Sequence, residues 1–227
     1  LIKNPVNPDM ELWIGAVERI ARAGIKNIGL IHRGFSSYGN TEYRNAPMWH
    51  LAIDMKLKHP EMPFINDPSH ICGRRDILQE IMQKAVDLDY DGFIIESHID
   101  PDNAWSDAKQ QVTPEVLAEM LDAIIWRKED VKSEAYHAAL EKLRQQINQL
   151  DDELMQILGQ RMKIAEQIGK YKKENNITIL QTNRWNEIIE RATAKGDKIG
   201  LSKDFISKYF DAVHMESINH QKKVLDS

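Results

Sequence analysis

The sequence predicts an α/β part followed by an all-helical part, and three observations carry that reading. Through residue 127, short β-rich runs alternate with helical stretches, with no hairpin signals between them. From Leu140 the apolar residues fall mostly at steps of three and four, the pattern of a helix of about nine turns. Between the two patterns, Arg127 to Ser133 is charged and weakly apolar, with Lys128, Glu129, Asp130 and Lys132. The expected divisions are residues 1–127, a linker at 128–134, and a helical part at 135–227.

Taken in order, the first part offers strands at Leu1 to Lys3, Ile28 to Ile31, Pro63 to Asn66 and Phe93 to Ile95. Helical patterns lie at Met10 to Ala23, Met48 to Lys58, Arg75 to Leu88 and Glu115 to Arg127. Thr113 as N-cap and Pro114 at the first helical position give the last helix a start signal. Strand and helix in alternation argue for a parallel sheet. Polar residues collect where the strands end: Lys3, Arg33, Asp67, His70, Glu96 and His98. In a (β/α) barrel that is the face on which active sites are built. His70, Glu96 and Asp107 together offer one imidazole and two carboxylates, a mixed N/O set suited to Mn, Fe or Zn. The same spacing also suits a hydrogen-bonded structural histidine. Arg74 and Arg75 fit either phosphate contacts or exposed residues at a helix start.

In the helical part the stripe runs through Leu143, Ile147, Leu150, Leu154, Ile157, Ala165 and Ile168. Alone, such a stripe reads as a coiled coil with solvated charges. Arg161 interrupts it where a heptad calls for an apolar residue, and a buried guanidinium needs an anion. Asn175 and Asn176 break the helix, and further helical stretches follow at Arg184 to Thr193 and Lys203 to Lys222, the last placing Ser217 and Gln221 one turn apart. On one helix Arg144 and Arg161 stand roughly 25 Å apart, whereas Arg161 and Lys172 share a face roughly 16 Å apart. Two long cationic arms close the second gap around a small dianion but not the first. Arg144 is therefore expected in a site completed by a second copy, which makes the chain a homodimer.

Residues from about 136 to 223, with LRQQINQLDDELMQILGQRMKIAEQIGKYK, ILQTNRW and ESINHQ, resemble the all-helical chorismate mutase family. The resemblance implies a three-helix domain that dimerises into a helical bundle and converts chorismate to prephenate without metal or cofactor. By position, Arg144 of the partner copy and Arg161 would bind carboxylates. Lys172 and Gln221 would meet the ether oxygen, with Arg184 and Ser217 completing the lining. Gln181 and Trp185 stand where the best-known pattern has an Asp and a Glu that read the substrate hydroxyl. A second reading follows from that departure, a dimerising module that binds prephenate or chorismate for regulation with little catalysis.

KNPVNPD, LIHRGFSSY, NDPSHICGRRD and IESHIDPDNAWSDAKQQVTPE resemble a DAHP synthase of the short first-class subtype. That family joins phosphoenolpyruvate to erythrose 4-phosphate. The resemblance implies the C-terminal half of a TIM-type (β/α)8 barrel, with His70, Glu96 and Asp107 as ligands of a divalent metal (Mn, Fe, Zn or Co). Lys3 and Arg33 would bind phosphoenolpyruvate. The family's further Cys ligand and main sugar-phosphate contacts belong to earlier strands, and a whole barrel needs ~250 residues. The expectation is a bifunctional enzyme of the shikimate pathway, here cut mid-barrel and unable as it stands to make DAHP.

Composition narrows the class. A net charge of −5 without a basic cluster argues against nucleic-acid binding. One cysteine, Cys72, excludes an internal disulfide framework and reads as a packed thiol. No signal-peptide core or membrane-spanning run is evident, so a cytoplasmic enzyme is expected. Trp13, Trp49, Trp105 and Trp126 are expected to add apolar surface that a half barrel must cover.

Overall fold

The computed structural model describes residues 1–39, 42–128 and 130–226, with the side chains of Thr182 and Asn183 left aside. Glu129 of the expected linker lies outside the described residues. The chain divides into two compact units, Leu1–Val131 and Lys132–Ser227.

The first unit holds a four-stranded sheet: β1 (Ile2–Lys3), β2 (Leu30–His32), β3 (Phe64–Asn66) and β4 (Gly92–Phe93), parallel and in the order β1-β2-β3-β4. Leu30 pairs with Phe64 and Asn66 with Phe93, so all four strands end on one side. Helices α1 (Met10–Arg22), α2 (Trp49–Lys58), α3 (Pro68–Cys72), α4 (Leu78–Asp87) and α5 (Pro114–Asp122) connect and flank them. Asp9 caps α1 by accepting from the Glu11 and Leu12 amides, and Thr113 caps α5. Trp13 and Val17 of α1, Leu30, Phe64, Met55 and Tyr90 form the main core.

Trp13 is fully buried in that core, which corrects the expectation that it adds to the exposed apolar surface, while Trp105 and Trp126 are exposed. Two helix boundaries also move. α5 stops at Asp122, not Arg127, because the Gln83 side chain takes both polar groups of the Ile125 backbone at 2.9 and 3.0 Å. α4 starts at Leu78, not Arg75, whose guanidinium instead donates to Asp102 and to the carbonyls of Ala108 and Gln111. The short helix α3 was not expected from the sequence, although Asp67 as cap and Pro68 at the first position encode it.

The second unit consists of α6 (Glu134–Glu174), α7 (Thr182–Asp197) and α8 (Lys203–Asp226). At 41 residues α6 exceeds the expected nine turns, because Ser133 caps it and good helix formers fill its first turns. Asn175 ends it, followed by Asn176 at φ 55. Met162, Ala165 and Gly169 of α6 are buried, as are Val213, Ser217 and Gln221 of α8. Gly169 allows a close approach of α6 and α8: a Cβ there would stand 3.1 Å from the Gln221 Cα. Leu143, Ile147, Leu150 and Ile157, by contrast, are each more than half exposed within the single chain.

Gly169→Val should wedge α6 from α8 and destabilise the helical unit by about 1–3 kcal/mol, seen as a lower melting transition of that unit. His32 concerns the other unit: its ring is fully buried, donates from Nε2 to the Pro47 carbonyl at 2.6 Å, and accepts the Tyr90 hydroxyl at 2.8 Å on Nδ1. Burial lowers its pKa to about 4, against opposing effects of Pro47 and Asp67. Because the unfolded chain binds the proton first, stability should fall as pH drops from about 6.5 to 4, by on the order of 3 kcal/mol from this group. Denaturant melts of wild type and a His32→Phe, Tyr90→Phe double variant across that window should show the smaller slope in the variant.

Candidate functional site

Each unit brings polar residues together, one set at the C-terminal ends of the strands and one inside the helical unit.

In the first set Asp67 follows β3 and is 1 % exposed. Its Oδ2 pairs with the Nζ of Lys3, at the end of β1, at 2.7 Å. Its Oδ1 accepts from the His70 amide at 3.1 Å and lies 2.9 Å from His70 Nδ1. Burial pushes the Asp67 carboxyl up, but hydrogen bonds from His70 and Lys3 outweigh it and hold the group below the usual carboxylate range. With Nδ1 committed to a carboxylate, Nε2 is the nitrogen left to act as a ligand. It lies 3.5 Å from Glu96 Oε1. Glu96 follows β4 and is fixed twice: its amide donates to Ser69 Oγ at 3.0 Å, and its Oε2 accepts from Gln110 Nε2 at 2.8 Å.

Arg44 joins the remaining pieces. Its Nη1 donates to Gln110 Oε1 at 2.6 Å and to Asp107 Oδ1 at 2.8 Å. Asp107 itself stands at φ 49, a left-handed backbone that turns its carboxylate toward the cluster. Potential ligand atoms of His70, Glu96 and Asp107 thus lie within 4.8 Å of one another. One imidazole with a fixed tautomer and two carboxylates braced by hydrogen bonds form a donor set that fits a divalent metal such as Mn, Fe, Zn or Co.

Arg33 follows β2, and its amide donates to Asn4 Oδ1 at 2.7 Å. His98 stays outside the cluster, its Nδ1 engaged in a local turn with Asp100. Arg74 pairs with Asp76, and the donors of Arg75 are spent within the fold, which leaves Arg75 the structural role. Cys72 is buried, and burial pushes its thiol up to about 12. Arg44, Asp67 and Gln110 are the site residues that the sequence reading missed as partners. Asp67 was recoverable from its position three residues before His70 on a helix start, whereas nothing local marks Arg44.

The second set lines a cavity of about 220 Å³ within the helical unit. Arg161 and Lys172 enter from α6, Gln181 and Arg184 from the start of α7, and Ser217 and Gln221 from α8. Ile164, Ile168 and Ile188 supply apolar wall. Arg144, seventeen residues before Arg161 on α6, is not among the lining residues. Arg161 Nη1 donates to Ser217 Oγ and, at 3.4 Å, to the Val213 carbonyl. Lys172 Nζ donates to the Ile179 carbonyl at 2.5 Å. Burial lowers the pKa of both cations, and an anion beside either would offset that effect. Gln221 Nε2 donates to the Ser217 carbonyl at 3.3 Å, while its Oε1 is buried without a partner among the described residues. Arg184 pairs with Glu187 at 2.8 Å on the exposed side.

Trp185 and His214, which also line the cavity, stack with ring centroids 4.3 Å apart. The sequence reading missed His214, though its place three residues before Ser217 on the same helix is a usable signal. The arrangement as a whole, clustered cations with few acids and an apolar wall, suits a small dianion with a hydrocarbon body.

Residues 1–133 match the DAHP synthetase I family, and residues 143–222 match chorismate mutase type II. The chain therefore belongs to the DAHP synthetase I family and joins to it a chorismate mutase type II domain. The phospho-2-dehydro-3-deoxyheptonate aldolase of Thermotoga maritima is 30 % identical over 121 residues, 53 % of this chain and 35 % of that protein. A bifunctional chorismate mutase/prephenate dehydratase of Buchnera aphidicola subsp. Schizaphis graminum is 32 % identical over 83 residues, 37 % of this chain and 22 % of that protein. The crystal structure of the Thermotoga maritima aldolase aligns with a TM-score of 0.49 and 29 % identity over 53 % of this chain and 35 % of its own. The chain thus spans about a third or less of the length of these relatives. Among the described residues, no helix is long and apolar enough to cross a membrane.

Proposed function

We propose that the helical unit is a chorismate mutase, and that the first unit is the metal-holding half of a DAHP synthase barrel. A single observation supports the mutase reading best: Arg161, Lys172, Gln221 and Ser217 converge on one cavity of small-molecule size. Rearrangement of chorismate to prephenate is unimolecular, so the site has to hold the dicarboxylate in its compact conformer and stabilise charge on the breaking ether oxygen. Arg161 binds one carboxylate. Lys172 leaves the Ile179 carbonyl for the ether oxygen, where Gln221 is the second donor. The isoleucine wall packs on the ring and keeps water out.

Arg144 reaches such a cavity only from a second copy. The exposed stripe Leu143, Ile147, Leu150 and Ile157 lies on the same stretch of α6, and its burial by a second α6 would deliver Arg144 to the neighbouring site. The proposed assembly is a homodimer through the helical unit. Its test is mixing. Arg144→Ala and Arg161→Ala proteins should each lose turnover by about 100-fold or more, followed by loss of chorismate absorbance. A one-to-one mixture should recover roughly a quarter of wild-type turnover, since half of the dimers are hybrids and each hybrid has one intact site. Heterodimers that form and recover nothing would sink the shared site. Chelator should leave wild-type turnover unchanged.

For the first unit, His70, Glu96 and Asp107 would hold the divalent metal, with Asp67, Gln110 and Arg44 fixing their orientation. When bound, the metal supplies Lewis-acid polarisation of the sugar aldehyde. Lys3, which pairs with Asp67, and Arg33 stand at the ends of β1 and β2 and would bind phosphoenolpyruvate. The complete reaction, with erythrose 4-phosphate as second substrate, belongs to a full barrel in aromatic amino-acid biosynthesis. Calorimetric titration with Mn(II) or Zn(II) should detect one site that His70→Ala abolishes. Arg44→Ala or Gln110→Ala should weaken it about 10–100-fold, by releasing carboxylates without removing a ligand.

A further inference from the structure

The mutase reading gives no task to His214, a residue of the cavity wall. His214 lies on α8 one turn before Ser217 and two before Gln221, so the three follow one helix face. Its ring stacks on Trp185, and its Nε2 is buried with no hydrogen-bond partner among the described residues. The charged groups that act on it are Arg161 and Lys172 from α6 and Asp211 on its own helix, and Arg184 of α7 lines the same cavity with its guanidinium paired to Glu187. Burial, then Arg161 and Lys172, press its pKa below the ordinary histidine value, with Asp211 opposing. The imidazole is thereby kept neutral among cations.

A dicarboxylate entering this cavity brings negative charge beside the ring. Two negative charges offset Arg161 and Lys172, and a carboxylate next to the ring favours the imidazolium against the cost of its burial. Arg161 also has use for an ally, because its Nη1 already serves Ser217 and the Val213 carbonyl. Gln181 and Trp185 bring no charge of either sign to the cavity. We propose that His214 is a further binding residue of this site, which takes up a proton as the dicarboxylate enters and holds one carboxylate alongside Arg161. The proton comes from solvent and adds to the ring nitrogen, and no bond in the ligand changes. The proposal rests on the mutase reading of the cavity.

The sign of the pH dependence is fixed by this linkage. The ring gives up its proton at lower pH in the free site than in the loaded one. Affinity is therefore greatest in acid, falls as pH rises through the loaded-site value, and levels off above it. The fall is at most about tenfold per pH unit.

The experiment is isothermal titration of the chain with a stable oxabicyclic dicarboxylate shaped like the compact transition state. Runs at about pH 6.5 in two buffers of different protonation enthalpy read proton uptake directly. Wild type should take up a fraction of a proton per ligand. His214→Phe, which keeps a ring against Trp185, and His214→Gln should take up none and bind with little pH dependence. The His214 ring signal of wild type, followed by NMR, should titrate at higher pH with the analogue than without it, a readout that requires no variant to fold. Binding without proton uptake, uptake that survives His214→Phe, or a His214 signal unmoved by the analogue overturns the proposal and leaves the mutase reading standing. No binding at either about pH 6 or pH 8 overturns both.

Discussion

A buried carboxylate with a charged or titratable partner on each oxygen organises the first unit. Asp67 reaches Lys3 at the end of β1 with one oxygen and His70 on α3 with the other, from a position after β3 that is 1 % exposed. An unpaired charge at such a depth would cost several kcal/mol. The pairing therefore ties the strand ends to α3, and the same contact aims His70 Nε2 at Glu96. Structural demand and chemical placement are here one interaction. Gln110 and Arg44 extend the logic, since each carboxylate of the cluster is braced by a donor on an element distant in sequence.

The helical unit solves a different problem, that of holding cations that are partly withdrawn from water. Arg161 and Lys172 are partly desolvated, and both lean on carbonyl or hydroxyl oxygens instead of acids. A carboxylate built into the wall would neutralise them and compete with an anionic ligand. Neutral Gln181, Trp185 and His214 line the cavity without doing so. The close approach at Gly169 brings α8 onto α6, so Ser217 and Gln221 stand opposite Arg161 and Lys172. Backbone packing and the electrostatics of the cavity are coupled through that glycine.

Much of this was legible in order along the chain. Strands at the β-rich runs, the parallel arrangement, the caps at Thr113 and the three helices of the second unit all follow from local periodicity and capping chemistry. The errors came where side chains act across the chain. Gln83 stops α5 by holding Ile125, and Arg75 binds backbone carbonyls of a loop far along the sequence. No window around Pro114 or Arg75 contains that information. Trp13 was misjudged for the same reason, because its burial depends on Phe35 and Phe64 packing against it.

By itself, the sequence determined which residues carry charge, which faces are apolar, and which elements can form, since each of these depends on neighbours a few residues away. It also placed Arg161 and Lys172 on one face of one helix and His70, Glu96 and Asp107 after strands. The tertiary structure decided what those residues meet. Asp107 joins His70 through a left-handed backbone and an arginine sixty-three residues away, and His214 joins the cavity by stacking on another helix. Such meetings are set by packing between elements, and the cost of burying a polar group then selects which partners it keeps.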